Sequence, residues 1–568
     1  MNCRGSGPSS KEMIVRLLGL ALGVSFLTSY AADAIVRADD IVLEFAYGSE
    51  KEQWITDVTR AYNAAGHVVN GRRVRVNPTP MGSGEAVEEV LAGTRKAHLL
   101  SPASGAFIEL GNAESRAGVG GRDLVKETEN LVLSPVVIAI WKPMAEALGW
   151  SDKPIGWADV LRLARDPKGW EALGHPEWGS FKFGHTHPEY SNSGLISVLA
   201  EVYAGAGKSE DLTVEDVNRP ETAEFVRGIE RSVVHYGNST GFFGNTMFAS
   251  GPQALSAAVL YESLVIESYD RSKHPETSAY DKDQFPVVAI YPKEGTFWSD
   301  HPVGVVEREW VTDDHRAAAK DYVKYLLARP QQERAMRTGF RPADEKIPLT
   351  APLDAAHGID PDQPKAILPV PSSDVMKAIL ALWRQSKKHA QVALVLDRSG
   401  SMRVNQKMLN AQKAALEVVK LLGDDDHLSL ILFSDAPAWA VKEGPVKEVR
   451  AKAESVLLGV FPEGQTAMYD ALKLAHEHLQ ANAQEGLISA IVVLSDGLDN
   501  MSKMKLDQLL KDIQVDDEKT TTRIFTIFYG TDANKQDMES IAQRTRARSY
   551  AGTPANILKV FKDIATFF

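Results

Sequence analysis

Cysteine is almost missing from this sequence. Its 568 residues include one thiol, Cys3, so neither an intramolecular disulfide nor a thiolate zinc cluster can form. Stability must come from apolar cores, which a chain of this length can build. A basic surplus is missing too. Sixty-three Lys and Arg stand against 75 Asp and Glu, a formal charge of −12, whereas sequence-independent nucleic-acid binding wants the opposite sign. Nor is there a series of long apolar runs. With 44% hydrophobic and 24% charged residues, the composition excludes both a polytopic membrane protein and a largely disordered one. At roughly 100–200 residues per domain the length requires several compact units, and no internal repeat is visible.

What is present begins with a targeting signal. Arg4, Lys11 and Arg16 precede an apolar run from Leu17 to Tyr30, after which Ala31, Ala32, Ala34 and Ala38 gather. A basic start, a short apolar stretch and a small-residue exit describe a secretory signal peptide, cut after Ala34 or Ala38. The run is shorter than the ~20 residues that span a bilayer; an uncleaved anchor is the alternative. A lipoprotein would need its cysteine just after the run, and Cys3 lies before it. Residues 1–38 are therefore expected to be a signal peptide or N-terminal anchor, sending the rest to the periplasm or cell surface, with membrane contact only through this segment.

From Asp40 onward, strand and helix patterns alternate. A strand over 41–47 leads to a helix through Trp54, Val58, Ala61 and Tyr62. Val74-Arg75-Val76 alternates as a second strand. Gly82-Ser83-Gly84 opens a helix over 87–92, and Leu99-Leu100 closes in Ser101. Residues 134–141 form a continuous apolar strand, as expected where both faces are covered. Such alternation implies parallel α/β sheets. Residues 351–388, punctuated by Pro352, Pro361, Pro364, Pro369 and Pro371, read as a semi-extended Pro-rich linker ending in a short helix over 375–383. A second α/β series follows.

The C-terminal part carries the most specific pattern. An apolar strand over 392–396 ends in Asp397-Arg398-Ser399-Gly400-Ser401. Gly464-Gln465-Thr466-Ala467 precedes a helix, and a strand over 488–495 delivers Asp496-Gly497. In an open parallel sheet, loops beyond the carboxyl ends of the strands converge on one crevice. Asp397, Ser399, Ser401, Thr466 and Asp496 all fall in such loops. They are oxygen donors only, which suits a hard dication: Mg²⁺ first, with Mn²⁺ and Ca²⁺ as alternatives. Two carboxylates among hydroxyls leave that cation incompletely neutralised and ready for one more anionic ligand.

The D-x-S-x-S pattern, the distal Thr and the distal D-G resemble the von Willebrand factor type A (VWA) domain with its metal-ion-dependent adhesion site, over residues 389–568. The resemblance implies a doubly wound, Rossmann-like α/β fold. It implies direct metal contacts from Ser399, Ser401 and Thr466, water-mediated ones from Asp397 and Asp496, and a protein partner that presents Asp or Glu. An aspartyl-phosphate phosphatase would place a second Asp where Ser399 stands, and a hydrolase elbow needs G-x-S-x-G, which residues 397–401 do not supply. No catalytic residue is expected.

Residues 39–350 resemble the extracellular solute-binding proteins of the type II periplasmic class. The resemblance rests on Tyr47-Gly48-Ser49, Ser134-Pro135-Val136-Val137, the stretch from His185 to Gly194, Tyr261-Glu262-Ser263 and Tyr291-Pro292-Lys293-Glu294-Gly295-Thr296. It implies two α/β lobes crossed by hinge strands and closing over a ligand; lobe one takes 40–133 with a return near 295–350. Helix N-termini rich in small residues present N–H groups and a positive dipole end, suited to anions. This selects Ser83, Ser104, Ser191, Asn192 and Ser193, with Tyr261 closing over a small solute, an anion being the best match. Ordinary N-cap roles are the alternative at each position.

Two stretches read as decoys. Gly205-Ala206-Gly207-Lys208-Ser209 imitates a phosphate loop, but Val202 stands where its first glycine belongs, so these glycines are expected to end a helix. His185 and His187 read as solvated or capping groups rather than as a shared metal pair. The functional expectation is an exported, non-catalytic binding protein: a small-ligand-binding domain coupled to a Mg²⁺-dependent protein-binding domain. The alternatives are the substrate-binding component of an ABC-type transport system, with the C-terminal part as an assembly or adhesion module, and an envelope adhesin whose first half has lost its ligand.

Overall fold

The computed structural model describes residues 40–118, 121–276, 279–483, 487–514, 522–530, 534–554 and 556–567; the targeting segment expected over 1–38 lies outside them. Among the described residues no helix is long and apolar enough to cross a membrane.

The first sheet is built on strand Ile41–Gly48, which pairs in parallel with Arg72–Met81 and with Leu99–Ser101. Alternate side chains of a strand point to opposite faces. Leu43, Phe45 and Tyr47 pack with Trp54 and Val58 of helix Glu52–Ala65 and with Tyr322 of helix Asp313–Leu327. Ala46 faces the layer of helix Ser83–Leu91. Contrary to the purely parallel expectation, Pro302–Val306 enters antiparallel between Leu99–Ser101 and Val125–Asn130. The cause is the hinge. The chain leaves by Val125–Asn130, runs on as Val132–Trp141 in the second sheet, and returns through Trp298–Ser299 into Pro302–Val306. A returning strand must run against the one that left.

In the second sheet Val132–Trp141 is flanked antiparallel by Val287–Ile290 and Ala257–Tyr261, and Phe183–Thr186 and Val233–Gly237 continue the order. Arg341–Pro342 adds a further crossing onto its first residues. These are two α/β lobes joined by crossing strands.

The proline-rich segment is extended but not loose. Leu368 N donates to Thr296 O at 2.8 Å and Thr296 N to Ala366 O at 3.1 Å, while Ala289 N donates to Gly358 O at 2.8 Å. Leu353, Ile359 and Leu368 are buried. Helix Ser373–Ser386 then lays Met376, Ile379 and Trp383 on second-lobe helices Asn192–Ala206 and Pro220–Glu230. Prolines remove helix and donors, but the leucines and isoleucines between them still seek a core.

The third sheet runs Pro437–Pro445, His427–Phe433, His389–Asp397, Leu487–Ser495, Arg523–Tyr529, Ser549–Gly552, parallel except at the first edge. Val392, Leu394 and Leu396 face one helical layer, and Ala393 and Val395 face the other, so the sheet is doubly wound. The strand order reverses between His389–Asp397 and Leu487–Ser495, which is where an open sheet makes its crevice. The last helix, Ile557–Ala565, packs on Lys407–Leu421 and also reaches the N-terminal half. Lys559 pairs with Glu85 and Lys562 with Glu88, while Tyr236 N donates to Phe567 O at 3.1 Å. One continuous apolar cluster includes Val198 of the second lobe, Trp383 and Leu394 of the third sheet.

Candidate functional site

The crevice of the third sheet brings all five predicted metal-site side chains to one place. Asp397, the last residue of its strand, is fixed twice: Ser399 N donates to its Oδ1 at 2.7 Å, and Ser495 Oγ to its Oδ2 at 2.5 Å. Ser399 Oγ lies 3.0 Å from Ser401 Oγ, and Ser401 Oγ donates to Asp496 Oδ1 at 2.6 Å. The loop bearing Thr466 is held by Gly400 N donating to Gly464 O at 3.0 Å and by Thr466 N donating to Asn500 Oδ1 at 3.0 Å. Gly497 adjoins the same two hydroxyls: a Cβ built on it would stand 3.4 Å from Thr466 Oγ1 and 3.9 Å from Ser401 Oγ, which places Thr466 beside Ser401 in the crevice. Asp397, Ser399, Thr466 and Asp496 are buried, whereas Ser401 is exposed and leaves a route of approach.

Burial lifts the Asp397 carboxyl to about 6; the hydrogen bonds from Ser495 and Ser399 oppose the rise and the Asp496 charge adds to it. The donor set, neutral hydroxyls beside two crowded carboxylates, fits a hard dication. Lys407 was missed by sequence reasoning. It opens helix Lys407–Leu421, and its buried Nζ lies 2.6 Å from Asp496 Oδ2. The available signal was a lysine at a helix N-terminus, where the macrodipole disfavours a cation unless an anion is beside it. Two carboxylates and one ammonium leave a net negative charge at the site, so a dication there would be left positive and open to an outside carboxylate.

The six predicted solute-site residues lie near the junction of the lobes, and protein groups already occupy their hydrogen-bonding atoms: Ser104, Asn192 and Tyr261 bond to one another, and Ser83, Ser191 and Ser193 to neighbouring residues. Ser104 Oγ donates to Asn192 Oδ1 at 2.5 Å across the cleft. Asn192 Nδ2 donates to Tyr261 OH at 3.1 Å and to Ser299 Oγ at 3.3 Å. Ser83 Oγ accepts from Ala103 N at 3.0 Å. Ser193 Oγ lies 2.8 Å from Thr186 Oγ1 and accepts from Thr240 Oγ1 at 3.0 Å, while Ser191 Oγ lies 3.2 Å from Thr240 Oγ1. The first-turn N–H of Gly84, read as free in sequence, donates to Tyr190 O of the opposite lobe at 3.1 Å. The lobes touch so closely that a Cβ on Gly84 would lie 2.1 Å from Glu189 O.

Beneath this cleft lies a buried charged group that the sequence did not reveal. Lys51 Nζ is 2.7 Å from Glu50 Oε1 and 3.1 Å from His301 Nδ1. Burial would raise Glu50, yet Lys51 and the His301 hydrogen bond hold it down at about 2. Burial, then the Lys51 ammonium, hold His301 down at about 4. At the cleft mouth a cavity of about 520 Å³ is shared by Gly82, Glu85, Tyr190 and Asn238 of the lobes and by Lys559 and Asp563 of the last helix. Helix Asn192–Ala206 ends at Gly207 in the left-handed conformation (φ 64°), as expected of the false phosphate loop. The solvated role expected for His185 and His187 is corrected: both are buried, because the strand and the Trp383 helix enclose them.

Residues 43–341 match the family model described as bacterial extracellular solute-binding protein, and residues 392–498 match the von Willebrand factor type A domain. An uncharacterised protein of Mycobacterium tuberculosis is 22% identical over 529 residues, covering 90% of this chain and 74% of that protein. Among solved structures, a periplasmic thiamin binding protein is 12% identical and covers 62% of this chain and 98% of that one, with a TM-score of 0.43. A von Willebrand factor type A protein from Catenulispora acidiphila is 19% identical with a TM-score of 0.28; the match covers 32% of this chain and 42%, less than half, of that one. A solute-binding domain followed by a VWA domain supports a binding or transport-associated role, in domain types that are typically non-catalytic. The family also points to an exported or periplasmic location. The chain belongs to the bacterial extracellular solute-binding proteins and carries a von Willebrand factor type A domain behind its two solute-binding lobes.

Proposed function

We propose that this protein is an exported, non-catalytic adaptor whose VWA domain captures a protein partner through a bound Mg²⁺. The observation that carries this is the convergence of Ser399, Ser401, Thr466, Asp397 and Asp496 at one end of the third sheet. Ser399, Ser401 and Thr466 would hold the ion, with Asp397 and Asp496 orienting its shell. The ion, when bound, supplies a positive centre for a partner's Asp or Glu. Lys407 holds Asp496 in place and keeps the site's own charge too low to satisfy a dication. Isothermal calorimetry with Mg²⁺ and an Asp-containing peptide tests this. Each should tighten the other, and Asp397→Ala should weaken Mg²⁺ by about 100-fold while the fold survives. Equal peptide binding in chelator rejects the mechanism.

The N-terminal half takes a small solute in this proposal, and the last helix couples the two halves. Helix Ile557–Ala565 meets the first lobe through Lys559 and Lys562, and Phe567 beyond it meets the second, so lobe opening must disturb one set of contacts. A second reading, an envelope adhesin whose cleft no longer serves a solute, is favoured by the mutual pairing of Ser104, Asn192 and Tyr261. Solute retained on native mass spectrometry of protein purified from its source supports the first and rejects the second.

A further inference from the structure

Inside the second lobe, apart from both the crevice and the cleft, three side chains meet that the proposed function does not use. His185 lies on strand Phe183–Thr186, Glu201 on helix Asn192–Ala206, and Glu230 ends helix Pro220–Glu230. All three are fully buried. One ligand-capable atom from each lies within 4.8 Å of the other two. His187 is not part of the group; its ring turns to Tyr190 and Trp383.

An inventory of protons shows what is missing. His185 Nδ1 lies 2.8 Å from Thr186 O, a pure acceptor, so Nδ1 carries a hydrogen. His185 Nε2 then lies 3.0 Å from Glu230 Oε1. With a neutral imidazole that is a lone pair facing a lone pair, which needs a positive species between them. Tyr236 OH donates to Glu230 Oε2 at 2.6 Å, and Ser197 Oγ to Glu201 Oε1 at 2.9 Å. Glu201 Oε2 is buried with no hydrogen-bond partner. Two carboxylates and an unpartnered oxygen in an apolar core carry a heavy desolvation cost unless something neutralises them.

We propose that His185, Glu201 and Glu230 bind a divalent transition-metal ion, with Zn²⁺ the best match, as a site that ties the second-lobe sheet to two of its helices. Mixed imidazole and carboxylate donors suit zinc better than Mg²⁺ or Ca²⁺. The Nδ1–H bond to a backbone carbonyl is how ligating histidines are usually oriented, leaving Nε2 for the metal. A dication cancels both carboxylates, so no net charge remains buried. Donors about 2.0–2.2 Å from a common ion stand roughly 3.4 Å apart, which side-chain rotation reaches from the present spacing. Tyr236 and Ser197 then act as outer supports.

The test uses the full chain carrying Asp397→Ala, so that the VWA crevice does not contribute. After dialysis against a weak chelator, elemental analysis should find one zinc per chain, and Zn²⁺ added to stripped protein should raise its melting temperature. Glu201→Gln should lower zinc affinity by more than about 100-fold and make melting indifferent to Zn²⁺. If that variant fails to fold, X-ray absorption at the zinc edge of the unsubstituted cluster decides, since imidazole scattering is expected. Zinc absent above background, with melting unaffected by zinc or chelator, overturns the proposal. So does a Glu201→Gln protein that melts higher than its parent, which would mean that the cluster holds a proton instead.

Discussion

The cleft between the lobes and the crevice of the third sheet are both lined by serine, threonine and short polar side chains, yet they behave in opposite ways. In the cleft the predicted groups are neutral, and they find complements: Ser104 with Asn192, Asn192 with Tyr261, Ser193 with Thr240. In the crevice, two carboxylates stand among hydroxyls with one ammonium, on Asp496, and no internal pairing neutralises both. The difference is charge rather than residue type. Neutral polar groups can satisfy one another, whereas crowded carboxylates call for a cation.

Removing the ammonium should break the contrast most strongly. Lys407→Met leaves Asp496 buried without its partner, and the variant in chelator should lose about 3–5 kcal/mol of stability. Mg²⁺ should restore most of it and bind about tenfold tighter than to the parent, because a repelling charge is gone; calorimetry and thermal melts in chelator and in Mg²⁺ check both. In the cleft the strongest perturbation is steric. Gly84→Ala places a methyl against Glu189 O and should cost about 1–3 kcal/mol by overpacking. Small-angle scattering should show a larger radius of gyration, with Mg²⁺ affinity unchanged.

The charged group beneath the cleft gives a smaller, pH-dependent signature. His301 titrates near 4 in the fold and at about 6.5 in an unfolded chain. Between those values the unfolded state binds more protons, so stability falls as pH drops, by at most about 1.4 kcal/mol per pH unit for this group. Glu50, held at about 2, adds a loss at lower pH, from the unfolded carboxylate range downward. His301→Gln should make the dependence of melting temperature on pH shallower between pH 6.5 and 4, and should shrink the more acidic limb without abolishing it, because Lys51 still holds Glu50 down. The smallest effect is expected at the seam between the halves. Lys559→Glu with Lys562→Glu reverses two exposed pairs worth under about 1 kcal/mol each. It should move the melting temperature little while broadening the scattering-derived distance distribution, more so at low salt.

Much of the crevice was legible in the sequence because its markers are local. Apolar strands over 392–396 and 488–495 announce buried parallel strands, and the residues that follow them must then share one end of the sheet. Lys407 was not legible, since its meaning depends on Asp496, far away in the chain. The same holds for Lys51. Set in Ser49-Glu50-Lys51-Glu52 it looks like an exposed helix start, and its distant buried partner, His301, is not visible locally. The cleft residues were picked out by their helix-opening positions, but nothing local to Ser104 specifies Asn192 as its partner. The antiparallel edge Pro437–Pro445 was missed because half-exposed, charge-bearing strands lack the unbroken apolar run that marked the others. Proline spacing showed an extended segment over 351–372 but not its attachment, which depends on Thr296 and Ala289.

The shared apolar cluster across Trp383 also bears on how the gene is dissected. A fragment beginning at the third sheet would expose the flank of helix Ile557–Ala565 and the Phe567 ring that rests 4.4 Å from His235. A fragment ending before residue 373 would bare the second-lobe helices that Met376 and Ile379 cover. Either truncation should yield sticky, poorly behaved material, and carrying helix Ser373–Ser386 on the first fragment is the remedy for its half of the problem.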